Sequence, residues 1–521
     1  MVTSFKETIQ NGYTHKGESI VLGAAMQNGI ADKECIISLP LKTFNRHGLI
    51  AGATGTGKTK TLQLIAESLS KKSVPVLVMD IKGDLSGIAA KGSSNDRIIE
   101  RYNQLGMSYQ IDSSPVEFLT LNKGNGTQLK ATVTEFGPVL LSKILDLNDT
   151  QGGFVALLFK FCDDNQLPLL DLKDFIKVLQ YISNEGKSEI EKEYGKISTT
   201  STGTILRKVI ELQQQGADTL FGEPSFDVED LIRVDDNGRG IVSVLRVTDL
   251  QDKPKLFSTF MLSLLAELYA KLPEEGDLDQ PKLVLFIDEA HLIFNDASDA
   301  LLNQIETIIK LIRSKGVGIF FVTQNPTDVP AAVLSQLGLK VQHALRAFTA
   351  ADRKSIKQSA ENFPLSEFYK VDELLTQLGM GEALVTGLNE KGIPTPLAAT
   401  LLCAPSSRMD VLTDDELKAI VSQSKIASKY NKDLDSISAY EILNGKLQKA
   451  SEAAHEGERE RETESSERKL SRNEKSTLDE ILSSPVTKQV ARTAANVITR
   501  SLLGALGITG SSRSKKNSSW F

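Results

Sequence analysis

Residues 44–70 read FNRHGLIAGATGTGKTKTLQLIAESLS. Within them, 52–59 fill every fixed position of the pattern G-x-x-x-x-G-K-[ST]. A β-branched and apolar run, 48–51, leads into the loop, and residues 60–70 carry helical periodicity out of it. Strand, glycine-rich loop and helix in that order form a phosphate-binding unit. Gly52, Gly55 and Gly57 lack Cβ, so the backbone can curl and aim its N–H groups at an anion lying on a helix N-terminus. The nucleotide-binding set is therefore Gly52, Ala53, Thr54, Gly55, Thr56, Gly57, Lys58 and Thr59. Lys58 can reach the β- and γ-phosphates of a nucleoside triphosphate, and the Thr59 hydroxyl can ligate Mg2+.

Working outward, short apolar runs recur at 74–80, 241–247, 283–288, 318–323, 341–346 and 383–386. Several are almost continuously apolar, as in strands buried on both faces of a parallel sheet. Stretches long enough for crossover helices separate them, at 60–70, 255–271 and 300–315. A second half of the site is expected on a strand neighbouring the one that feeds the loop. Residues 283–289, LVLFIDE, supply an apolar run ending in two carboxylates. Asp288 suits Mg2+ through water, which leaves Glu289 to orient or deprotonate an attacking water. The run 318–324, GIFFVTQ, puts Gln324 where it could sense a γ-phosphate by hydrogen bonding. Arg313, at the end of the preceding helical pattern, has two readings: a cation favoured by the helix dipole, or a residue reaching a neighbouring subunit.

The set GATGTGKT, LVLFIDEAH and IRSKGVGIFFVTQNP, in this order, resembles the HerA/FtsK superfamily of ring ATPases. That superfamily also includes the conjugative coupling and type IV secretion ATPases. The phrases RHGLIAGATGTGKT, VMDIKGDLSGIA, LNDTQGG, KVQHALRAFTAADRK and ITRSLLGALG are similar to the bacterial YjgR-type HerA-like group, across roughly residues 40–510. The resemblance implies an α/β fold: a RecA-like P-loop NTPase core with a mostly parallel central sheet, a helical insertion and a helical C-terminal extension. It implies a homo-hexamer with ATP between subunits, Lys58 and Thr59 on phosphate and metal, Asp288 on Mg2+, Glu289 as base and Gln324 as sensor. By the same resemblance Arg313 matches an arginine finger of the coupling proteins and Arg46 a basic position before the loop, with Arg346 and Arg353 as weaker candidates. HerA carries an N-terminal β-barrel, whereas about 50 residues precede the loop here.

The expected organisation is a short β-rich segment at 1–46, the ATPase core at 47–133 and 227–405, and a helical insertion at 134–226. A helical extension at 406–450, a charged linker at 451–482 and a basic amphipathic helix and tail at 483–521 follow. The last segment has no acidic residue, and its apolar stripe at 487–506 predicts a docking helix, with membrane-surface attachment as the rival.

Composition narrows the function. Hydrophobic residues make up 40% and charged residues 24%, ordinary for a packed globular chain. The net charge of −7 argues against a surface that is basic throughout, though not against a local basic channel, so DNA is a candidate substrate. Cys35, Cys162 and Cys403 form no metal or disulfide pattern. Neither a signal peptide nor a membrane-length apolar run is found, which predicts a cytoplasmic protein with no membrane span; no protein partner is identified. Two alternatives remain beside an ATP-driven motor acting as helicase or translocase. One is an ATP-gated assembly scaffold without translocation. The other is a GTPase, since Asp80-Ile81-Lys82-Gly83 fits DxxG; Asn122-Lys123-Gly124-Asn125, however, is not NKxD.

Overall fold

The computed structural model describes residues 4–473 apart from 123, 125, 197, 251, 252, 277, 295–298, 433 and 435. The expected docking helix at 487–506 lies outside the described residues. The strands are β1 (Ser19–Gln27), β2 (Ile30–Pro40), β3 (Gly48–Ala51), β4 (Val76–Asp80), β5 (Val116–Thr120), β6 (Thr127–Gln128), β7 (Val242–Arg246), β8 (Leu283–Ile287), β9 (Val317–Thr323), β10 (Leu339–Gln342), β11 (Glu382–Thr386) and β12 (Ala398–Leu402). They form one sheet in the order β2-β1-β12-β11-β10-β3-β9-β8-β4-β7-β5-β6.

From β10 to β6 the strands run parallel, and from β10 to β2 every pairing is antiparallel. Every residue of β3, β4, β8 and β9 is buried. That is why these segments read as unbroken apolar runs: helices cover both faces, so no face alternates toward water. Phe320 on β9 stacks on Phe44 and packs against Phe286 of β8, at ring-centroid distances of 5.4 and 5.1 Å. These contacts join the turn Leu41–Arg46, ahead of the loop strand, through β9 to the acidic strand inside the core.

The segment at 1–46 begins with a helix, Phe5–Tyr13, and its two strands extend the central sheet through β12. Their approach requires glycine at one point, because a Cβ on Gly23 would lie 1.9 Å from the carbonyl oxygen of Leu401. β12 itself, AATLL, had no separate expectation: it is five buried residues with little alternation.

The chain divides into two compact units, one of Met1–Asn148 with Ile210–Leu434, the other of Asp149–Val209 with the described residues beyond Leu434. The first contains the whole sheet. In it the helix Val133–Ile144 is broken by Gly137 (φ 66°) ahead of Pro138. The second is helical, with Asp149–Asp164, Leu172–Ser183 and Lys187–Glu193. Buried Asp174 fastens it, accepting from the backbone N–H groups of Leu170, Asp171 and Tyr440 at 2.8, 3.1 and 2.9 Å. The helix Ala439–Asn473 runs into the stretch expected as a charged linker at 451–482, of which residues 474–482 lie outside the described residues. Glu, Arg, Lys and Ala are strong helix formers, so a polar composition does not by itself interrupt a helix. No described helix is long and apolar enough to cross a membrane.

Candidate functional site

The loop after β3 is pinned from below. Gly52 N–H donates to Thr323 O at 3.3 Å, Ala53 N–H to Ala344 O at 2.8 Å, and Gly381 N–H to Thr56 O at 3.0 Å. Gly52, Gly55 and Gly57 all have positive φ (153°, 78° and 112°). Gly52 is also crowded: a Cβ there would sit 2.5 Å from Cβ of His343. The helix Lys58–Lys71 starts from Gly57, which offers no side-chain cap to its first turn. An uncapped helix N-terminus behind a curled glycine loop is built to receive an anion. Lys58 is buried and its Nζ donates to Ala53 O at 3.2 Å, folded back over the loop. Burial, with Lys82 close by, lowers its pKa.

Beneath the loop, His343 is fully buried with its Nε2 2.9 Å from Thr61 Oγ1. Burial, assisted by the charge of Lys58, pushes its pKa down to about 4. His343 is a positioning element that the sequence did not flag, because a lone histidine at the end of a short strand has no pattern of its own.

Asp288 and Glu289 follow β8, only 3% and 5% exposed. The strand order corrects one expectation: β8 is not beside the loop strand, because β9 lies between them. Burial pushes the Asp288 carboxyl up to about 7; Lys82 opposes the shift and the charge of Glu289 adds to it. Asp288 Oδ2 is buried without a hydrogen-bond partner. Glu289 has a left-handed backbone, φ 47°, unusual for a side chain with a Cβ. Its Oε1 forms an ion pair with Lys82, and its Oε2 lies 3.2 Å from His291 Nδ1.

Lys82 comes from the turn after β4, the parallel neighbour of β8. Asp80 builds that turn, accepting N–H bonds from Gly83, Asp84 and Leu85 at 2.7, 3.2 and 3.2 Å. Burial pushes the Asp80 carboxyl up to about 6. In the DxxG match, then, the aspartate is engaged by its own turn. The residue turned toward the acidic pair is the lysine, which only knowledge of strand order could have found.

Gln324 follows β9, and Thr54 Oγ1 of the loop donates to its Oε1 at 3.4 Å. The structure thus brings the loop, Asp288, Glu289 and Gln324 to the carboxyl ends of β3, β8 and β9. Arg313 is not with them. It belongs to the turn Arg313–Lys315 before β9, at the amino end of a strand about 20 Å long. There Arg313, Arg46 and Lys340 line a cavity of about 390 Å3. Arg346 lies on the loop side, lining a second cavity of about 390 Å3 with Ala53, Thr54 and Gln324, and its Nη1 donates to Thr376 O at 3.2 Å. Arg353 is exposed on the helix Ala350–Glu361.

The residues fit a nucleotide and its metal. Three glycines of positive φ let the loop curl around an anion, and the orphaned Oδ2 of Asp288 is a buried acceptor suited to a cation.

The family model described as Helicase HerA-like C-terminal matches residues 26–513. The DNA double-strand break repair helicase HerA of Sulfurisphaera tokodaii is 24% identical over 365 residues, 67% of this chain and 64% of that protein. The protein of the same name from Saccharolobus solfataricus is 23% identical over 388 residues, 73% of this chain and 68% of its own length. The chain thus spans about two thirds of the length of these relatives. Among solved structures, the bacterial conjugative coupling protein TrwBdeltaN70 in an unbound monoclinic form superposes with a TM-score of 0.51. That match has 13% identity and covers 78% of this chain and 94% of the other. At that identity the likeness is one of fold, and the RecA-like α/β core expected from the sequence is the fold observed.

Proposed function

The chain belongs to the helicase HerA-like C-terminal family, and from that premise we propose that it is a Mg2+-dependent ATPase motor, assembled as a homo-hexamer and acting on DNA as a helicase or translocase. The observation carrying this reading is the convergence of the loop, the acidic pair and Gln324 at one end of the sheet. Lys58 and the loop N–H groups bind the phosphates. Thr59 and Asp288 would hold Mg2+, which would supply charge neutralisation at the transferred phosphoryl group. Glu289 takes the proton as water attacks the γ-phosphorus and the bond to the β,γ-bridging oxygen breaks. Gln324, in contact with the loop through Thr54, senses whether the γ-phosphate is present.

The hexamer gives Arg313 a use. Within one chain it lies at the end of the sheet remote from Lys58 and Glu289, so it acts as a finger only on a neighbour's nucleotide. The HerA relatives are named as DNA helicases, which supports DNA as the polymer.

The test is ATP hydrolysis with and without single- and double-stranded DNA over a salt series, alongside particle mass. Turnover that DNA stimulates and salt weakens is expected, with log K falling by about 0.9 per phosphate contact for each unit of log salt. A flat salt response, or no stimulation by any DNA, favours an ATP-gated scaffold instead. Lys58→Ala should abolish nucleotide binding or turnover, whereas Glu289→Gln should keep binding and lose hydrolysis.

A further inference from the structure

Glu289 forms an ion pair with Lys82 through Oε1, and its Oε2 lies 3.2 Å from His291 Nδ1. Neither oxygen has a hydrogen-bond partner among the described residues, so acceptor capacity remains; what the ion pair sets is the direction in which the carboxylate faces, and it must be parted before the group can turn to a water. The two backbones at either end of the Lys82 contact are fixed. Asp80 holds the turn carrying Lys82 through three N–H bonds. Glu289 keeps its left-handed φ because the next residue is tied down, with Ala290 N–H donating to Val322 O at 3.0 Å. What remains free to change is the lysine, whose flexible side chain is 36% exposed against 7% for the side chain of Glu289. Glu289, Asp288 and Asp84 favour the charged form of Lys82 where it lies, whereas the ammonium groups of Lys82 and Lys58 disfavour each other. An arriving triphosphate adds negative charge on the Lys58 side and competes with these carboxylates for the lysine.

We propose that Lys82 is a positioning residue that restrains the Glu289 carboxylate in the nucleotide-free protein and is drawn off it when a nucleoside triphosphate occupies the loop. The proposal rests on the reading of Glu289 as the base. It makes basal hydrolysis slow by design, because each turnover begins by parting an ion pair. Lys58 and the loop supply the binding of phosphate, so removing Lys82 speeds the chemical step without weakening substrate capture.

The experiment is steady-state ATP hydrolysis by the full chain carrying K82M, K82R, E289Q and the K82M/E289Q pair, each checked for parental melting temperature and particle mass. K82M is expected to raise basal kcat about fivefold, the factor carried by a partly exposed ion pair, with KM for ATP not raised. K82R, which keeps the cation, restores the slow rate. The double variant stays as inactive as E289Q, since the restraint acts only through that carboxylate. An unchanged or lower kcat for K82M, or a raised KM, makes Lys82 a phosphate ligand or a bystander and overturns the proposal. So does any gain of the double variant over E289Q. If E289Q alone hydrolyses ATP at the parental rate, it is the assignment of the base that has failed, and the restraint falls with it.

Discussion

The imidazole of His47, immediately before the strand that feeds the phosphate loop, lies with its Nε2 2.8 Å from the carbonyl oxygen of Ile309, in the helix that ends beside Arg313. Its other nitrogen, Nδ1, accepts the N–H of Ile319 on β9 at 3.0 Å. One neutral ring thus joins the loop strand, β9 and the helix end from which Arg313 projects. Burial pushes its pKa down to about 4; the Ile309 carbonyl works the other way, and the Arg313 charge adds to the shift. His47→Ala should strand a buried donor and a buried acceptor, costing roughly 2–5 kcal/mol by urea denaturation. The sign with pH follows from the unfolded state, where histidine takes a proton near 6.5. The contribution of His47 is complete above that value and is lost as pH falls toward 4. Across this window the alanine variant should show a flatter loss of stability than the parent; equal slopes would refute the assignment.

Arg313→Ala should lower turnover by about 10³-fold while nucleotide affinity and melting temperature hold, following arginine-finger magnitudes. Mixing it with Lys58→Ala should recover part of the activity, because some junctions then pair an intact loop with an intact arginine. If mixed assemblies of confirmed size stay inactive, action across a junction is ruled out.

Asp288→Asn should stabilise the nucleotide-free protein while removing Mg2+-dependent turnover. Its folded pKa of about 7 lies above the unfolded value of 3.8. The carboxyl therefore costs no stability below the unfolded value, and its cost grows as pH rises through the folded one. The gain in melting temperature should be clear at pH 8 and shrink as pH falls below about 7. A gain that ignores pH would mean that the burial of charge is not its source.

Gly52→Ala combines a positive φ with a Cβ placed 2.5 Å from Cβ of His343. Relief requires moving either the loop or the end of β10. Nucleotide affinity should fall by more than tenfold even where the variant still folds, as read by titration with a fluorescent ATP analogue. An alanine protein with parental affinity would show that the tight fit under the loop is dispensable.

What the sequence disclosed was whatever is encoded locally. GATGTGKT and LVLFIDE each carry their own strand, turn and chemistry, and β3, β8 and β9 lie within a residue of where apolar runs place them. Lateral order has no local code, so the strand between Ala51 and Asp288 was invisible, as was the approach of Lys82 to Glu289. β5 (VEFLT) and β12 (AATLL) were missed because Glu, Thr and Ala interrupt the run of large apolar residues that marks β4 and β8. Arg313 was picked out by spacing and resemblance, but its place at the amino end of β9, with Arg46, depends on how the sheet is wound.

The strand that separates loop from acids sets a distance. Two lateral steps of a sheet span about 10 Å. β9 fills that interval and carries Gln324 at its tip, midway between the two banks. On the proposed reading, a nucleotide seated on the Lys58 side would meet the Glu289 side only through its terminal phosphoryl group and the water beyond it. Once that group is cleaved, nothing bonded to the loop would reach across. The width of one strand would then serve as a length gauge, which a triphosphate fills and a diphosphate leaves short.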